Sequence, residues 1–334
     1  MKVSLEMVKT FGTSPAGETV KICQLRAGGS TARILSWGAT LQDYRVAGVD
    51  HSLVLGSESL DAYLGPMRYF GAIVGPVANR IAQGRMQIGD KIFHLDTNEN
   101  GRTTLHSGGA GFSDRNWTLR QVSDDTCQLT LEQPDGMGGF PGNTVVSATY
   151  HLDREGALSI EITGQSDADT YFNPAFHGYW NLSEQPNLSD HRLTIRAEKY
   201  LPVDADQIPL GGPVTVDGTD FDYRRPRSIG SELDHNFCLE WSETAMQTVC
   251  RLQTPALELN VQTNQPGVQI YNGIYIDTGT FNGHAGWPYG PCAGLAIEPQ
   301  FWPDSPNRPT YPSCLLKAGQ TCVHRTRFQV LRSS

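Results

Sequence analysis

A two-residue rhythm, broken at short intervals by turn residues, constrains this chain more than any other feature. Leu158, Ile160 and Ile162 alternate with Ser159, Glu161 and Thr163; Leu193, Ile195 and Ala197 repeat the pattern, as do Leu257, Leu259 and Val261. Successive side chains of a strand point to opposite faces, so this alternation buries one face and wets the other. Between the runs stand Asn100-Gly101, Asp135-Gly136, Asp217-Gly218 and Gln265-Pro266-Gly267, which end strands and turn the chain. A 3.6-residue period is hard to find. Only Ser57 to Leu64 suits a turn or two of helix, with Ser57 or Ser59 as its cap. Many one-faced strands are most readily buried in two layers, so the expected fold is all-β, a large antiparallel β-sandwich. There is no repeat of fixed period, no low-complexity tract and no long linker, so residues 1–334 are expected to form a single domain.

Composition removes several function classes. A net charge of −9 leaves no surplus of Lys and Arg for a nucleic-acid surface. No stretch approaches the roughly 18 uninterrupted apolar residues of a spanning helix, and residues 1–25 lack the apolar core of a secretion signal. A cytoplasmic location follows as the default expectation, with no membrane and no nucleic-acid partner. The seven cysteines are scattered without a C-x-x-C pair, the pattern of reduced thiols. Monomer and homodimer both remain open.

The chemistry-bearing stretches lie where strands meet turns. His177 stands in Phe172-Asn173-Pro174-Ala175-Phe176-His177-Gly178-Tyr179-Trp180, held between rigid and aromatic neighbours beside which a flat, partly apolar ligand fits. His106, followed by Ser107-Gly108-Gly109, sits where the backbone is free enough to let a ligand approach. Glu298 ends the apolar run Leu295-Ala296-Ile297, and burial there would raise its carboxyl pKa toward the range of a general base. Arg80, after Asn79 and a Gly-Pro corner, can aim a fork of donors at paired oxygens. Asp234 stands at the mouth of a strand, Gln269 is polar among apolar neighbours, and Tyr271 and Trp302 offer flat faces to a ring-shaped ligand. Each has a plainer reading. Turn histidines are often simply exposed, acids after strands often face water, and surface arginines often lie over apolar neighbours. No His-x-His or His-x-x-x-His spacing favours a metal site, and no phosphate loop follows the glycine-rich run from Asp135 to Asn143.

Taken together and in order, these pieces resemble the aldose 1-epimerase family. The resemblance runs from Asn79-Arg80-Ile81-Ala82-Gln83-Gly84 through Leu105-His106, Asp135-Gly136…Gly139-Phe140-Pro141-Gly142, His177…Tyr179-Trp180-Asn181-Leu182, Asp234-His235-Asn236-Phe237 and Gln265-Pro266-Gly267-Val268-Gln269 to Glu298…Pro303-Asp304. It implies a large β-sandwich and an open, cofactor-free cleft for a monosaccharide, a free aldose. It also implies Glu298 as general base, His177 as general acid and His106 as a second histidine near the ring oxygen, with Arg80, Asp234, Gln269 and, more weakly, Asn79 holding sugar hydroxyls. Because neutral imidazole cannot be an acid, His177 is expected to hold its proton in the resting site, helped by Glu298. Two departures are expected to border the site: Ser107 where the family has His-Gly-Gly, and Phe176 where it often has Asn. Alternatives from other classes are a non-catalytic sugar-binding or sensing module, a hexose-6-phosphate mutarotase and a glycosidase with Asp234 and Glu298 as its carboxylate pair.

Overall fold

The structure, a computed structural model, describes residues 8–333. Its sheets are antiparallel, as the alternation predicts. The largest has nine strands in the order Thr118–Gln121, Thr126–Gln133, Thr144–Leu152, Leu158–Ser166, Thr321–Arg332, Leu257–Thr263, Gln247–Gln253, Arg192–Ile195, Arg227–Ser228. Leu158, Ile160 and Ile162 are buried while the residues between them are half-exposed, so the rhythm in the sequence is the inside–outside rhythm of the sheet. A six-stranded sheet faces the same core, in the order Tyr179–Trp180, Leu295–Gln300, Gly267–Tyr271, Asp234–Cys238, Lys199–Tyr200, Val214–Thr215. A four-stranded sheet from Val8–Thr13 to Leu41–Arg45 adds Leu25, Ile34 and Tyr44 to that core.

The six-stranded sheet has two unlike faces, and this division places the site. Its strands set Trp180, Phe237, Val268, Ile270, Leu295 and Ile297 into the shared core. The alternate positions are Tyr179, Asp234, Asn236, Gln269, Tyr271, Glu298 and Gln300. Antiparallel register lines up Asn236, Gln269 and Glu298 across three neighbouring strands. A polar row therefore lies on the reverse side of a hydrophobic wall.

Among the described residues the one α-helix, Leu60–Leu64, falls inside the expected stretch. Ser59 is its N-cap residue, but its hydroxyl makes no capping bond. Packing does that work: Leu60, Ala62 and Tyr63 are buried, and the Tyr63 hydroxyl accepts from Ser57 N–H at 2.8 Å. Among the described residues no helix is long and apolar enough to cross a membrane. All seven cysteines are free thiols.

Candidate active site

Three strand pairs deliver the reactive groups. His177 ends the strand Ala175–His177, which pairs with Ala72–Val74. Glu298 lies on the polar face described above, opposite Gln269. His106 follows the two-residue ladder in which Arg80 faces Leu105, and its own backbone is left-handed with φ 49°. A bulky non-glycine residue adopts that conformation only when its surroundings enforce it. Here two bonds do so: His106 N–H donates to Asn79 O at 2.9 Å, and Asn79 N–H donates to His106 Nδ1 at 3.1 Å.

These bonds bring the three groups together. His177 Nε2 is 3.6 Å from Glu298 Oε1. One ligand-type atom of each of His106, His177 and Glu298 lies within 4.8 Å of the others, and the two imidazoles stand edge to face with centroids 5.2 Å apart. All three line one cleft of about 1070 Å³ with Asn79, Arg80, Asp234 and Tyr271.

Protonation is set by burial. Glu298 is 2% exposed, and loss of water, helped by the nearby charge of Asp234, lifts its carboxyl well above the usual range. Burial lowers the His177 imidazole to about 4. At neutral pH His177 is therefore uncharged, and burial opposes the charge on Glu298 as well. This reverses the expectation that His177 is charged in the resting site: removing two charges from water costs more than their attraction returns across 3.6 Å. Burial also holds His106 well below its ordinary value, with the charge of His177 next in effect. Because His106 Nδ1 accepts from Asn79, the neutral ring carries its proton on Nε2 and is a fixed donor.

Other candidates divide into those that face the cleft and those that do not. Arg80 is gripped by Glu99, with Nε to Oε2 at 2.7 Å and Nη2 to Oε1 at 2.8 Å, while its Nη1 stands 3.8 Å from Asp234 Oδ2. Gln269 does not line the cleft; it lies behind Asp234 and donates to its Oδ1 at 2.6 Å. Trp302 is not at the cleft either. Its indole N–H donates to Pro266 O at 2.8 Å and its ring meets Tyr311, because it lies beyond the end of the strand that presents Glu298. Tyr69, which sequence reasoning missed, lines the cleft with its ring centroid 4.8 Å from that of His106 and 5.9 Å from that of His177. Glu99, just before the Asn100-Gly101 turn, drew no role from the sequence. A buried arginine needs an acid, and that requirement is the signal that could have found it.

The sequence profile of aldose 1-epimerase matches residues 21–329. The chain belongs to the aldose 1-epimerase family. It is 42% identical to a galactose mutarotase from Mus musculus, covering 96% of each chain, and 32% identical to an aldose 1-epimerase from Escherichia coli, covering 97% of this chain and 99% of that one. Among solved structures, an aldose epimerase homologue from C. elegans superposes with TM-score 0.86 at 25% identity, covering 94% of this chain and 99% of that one. A galactose 1-epimerase from Lactobacillus acidophilus gives 0.84 at 26%, covering 98% of each. Of the two departures from the epimerase pattern, only Phe176 falls away from the expected place at the site. Phe176 points away from the cleft, into the core against Phe328, since strand alternation sends it opposite to His177. Ser107 is next to the site, where its hydroxyl accepts from Val77 N–H at 2.9 Å and donates to Val77 O at 3.0 Å. It fastens the epimerase histidine loop to the neighbouring segment.

Proposed function

We propose that this aldose 1-epimerase interconverts the α and β anomers of a free monosaccharide with Glu298 and His177 as a proton-exchanging pair. The observation that carries the reading is the 3.6 Å approach of His177 Nε2 to Glu298 Oε1 on the wall of a cleft large enough for a sugar. Anomer exchange opens a cyclic hemiacetal, rotates about C1–C2 and closes on the other face. Opening removes the proton from the C1 hydroxyl and delivers one to the ring oxygen. Hydrogen bonds to a charged form favour it. A C1 hydroxyl donating to Glu298 favours the carboxylate, and a ring oxygen accepting from His177 favours the imidazolium, so the bound sugar draws a proton onto His177. Glu298 then takes the hydroxyl proton as His177 gives its own, and the roles reverse on closure. His106, neutral and fixed, donates to the oxygen that gathers charge.

Free rather than phosphorylated sugars are supported by the cleft's charges. Of the two arginines lining it, Arg80 is bound to Glu99 and Arg227 faces Asp220 at 3.8 Å. The names of the relatives point to galactose, and a cleft of this size also admits glucose, xylose and arabinose. Polarimetry or NMR anomer exchange on those four sugars and on hexose 6-phosphates tests the assignment. His177→Asn and Glu298→Gln should each lower turnover at least about a hundredfold while sugar binding persists. Near-normal rates in either variant remove that residue from the role.

One observation favours a second reading, in which the three clustered groups hold a metal ion. Chelator treatment decides between the readings, since proton exchange by side chains alone survives it and a metal-loaded centre does not. We also place the chain in a reducing compartment as one domain, on the strength of its seven free thiols and of the core that its three main sheets share.

A further inference from the structure

Arg80 and Asp234 form a loose ion pair on one cleft wall, without a direct hydrogen bond between them. Nη1 and Oδ2 remain 3.8 Å apart, beyond hydrogen-bond length. Each is held from behind. Glu99 takes two edges of the guanidinium, at 2.7 and 2.8 Å, and Thr103 Oγ1 donates to Glu99 Oε2 at 2.8 Å. Gln269 Nε2 holds Asp234 Oδ1 at 2.6 Å. Glu99 is itself fixed by a bridge to Thr103 across the turn that contains it.

We propose that Glu99 is a positioning residue for the epimerase reaction, a tether that keeps Arg80 from collapsing onto Asp234 and so holds open a donor–acceptor slot for a sugar hydroxyl. This rests on the sugar-site reading above. A hydroxyl is both donor and acceptor, so one seated in the slot gives its proton to Asp234 Oδ2 and accepts from Arg80 Nη1. A closed ion pair would have to be broken before that hydroxyl could enter, and its cost would appear as weaker binding. Glu99 also balances the guanidinium charge. Without it, Arg80 is free to turn toward Asp234 and, beyond it, Glu298.

Three signatures follow for Glu99→Gln. KM rises roughly tenfold with kcat changed less than about threefold, the pattern of lost ground-state positioning. The limb of the pH–rate profile governed by Glu298 moves to lower pH, as the released guanidinium stabilises the carboxylate. In a double-mutant cycle with Arg80→Ala, the second change adds almost nothing, because Glu99 acts through Arg80. Glu99→Asp, which keeps the charge, recovers part of the KM. A purely structural Glu99 would lower the melting temperature while leaving KM and pH profile in place, and fully additive effects would show action outside Arg80; either result overturns the proposal. If the unmodified protein does not accelerate anomer exchange, the sugar-site reading fails instead, and direct sugar binding by Glu99→Gln still tests the tether.

Discussion

In the role proposed for it, Glu298 would serve chemistry at the expense of stability. It is an ionisable group held in an environment that resists its ionisation. Its folded-state pKa lies above its ordinary value near 4.5. As pH rises past 4.5 the unfolded chain therefore gains from ionising before the folded chain can, and the folded state loses stability. A glutamine cannot ionise. Glu298→Gln should therefore be more resistant to urea than the parent at pH 7–8, with the advantage vanishing below about pH 4. Unfolding midpoints that stay parallel across that range would show that the carboxyl is not held neutral. At this scale the sequence pointed to the candidate groups but not to their charge states. The motifs around His177 and Glu298 locate both groups. The sign of their protonation depends on how completely water is excluded, and that is set by residues distant in sequence such as Asp234 and Tyr69.

At the scale of elements, the strands were legible because their alternation is a direct consequence of one buried face, as Leu158–Ser166 shows. The same logic located the polar row once register was known, since Asn236, Gln269 and Glu298 share a face only through strand pairing. Register is not written in any single strand, and this is why Gln269 was expected at the sugar and Trp302 was expected to stack on it. Glu99 was unreadable for a related reason: the turn that carries it lies 19 residues from its partner Arg80. Packing between elements is tight enough to test. A methyl group added at Gly164, in the middle of a nine-residue strand, would strike the buried ring of Phe172. Gly164→Ala should lower stability by about 1–3 kcal/mol in thermal or urea unfolding. Anomer exchange at 25 °C should be unaffected. An unchanged melting temperature would mean that the ring has room to move.

Across the whole molecule, buried neutral histidines dominate the response to mild acid. Burial lowers His177, His235 and His324 to about 4, and lowers His106 and His191 as well. Each of these folded-state values lies below the ordinary 6.5. Their contribution is therefore complete above pH 6.5 and is lost as pH falls toward 4, because the unfolded chain takes up protons first. A fully buried histidine shifted this far is worth on the order of 3 kcal/mol. The raised carboxyls of Asp234 and Glu298 oppose this trend but are fewer. Stability should fall steeply between pH 6.5 and 4. His324→Gln, whose amide can still donate to Pro174 O as the imidazole now does, should make that fall shallower. A slope unchanged in the variant would locate the acid sensitivity elsewhere.

In the proposed mechanism, the exchange of protons between Glu298, His177 and the sugar gives the catalyst no preferred direction. Whichever face the ring closes on, the two groups end with the same proton inventory, merely exchanged, so no reset from bulk solvent separates one turnover from the next. An isomerisation that only hastens its own equilibrium gains from that economy. Its rate should be indifferent to the concentration of buffer, unlike the uncatalysed reaction in the same tube.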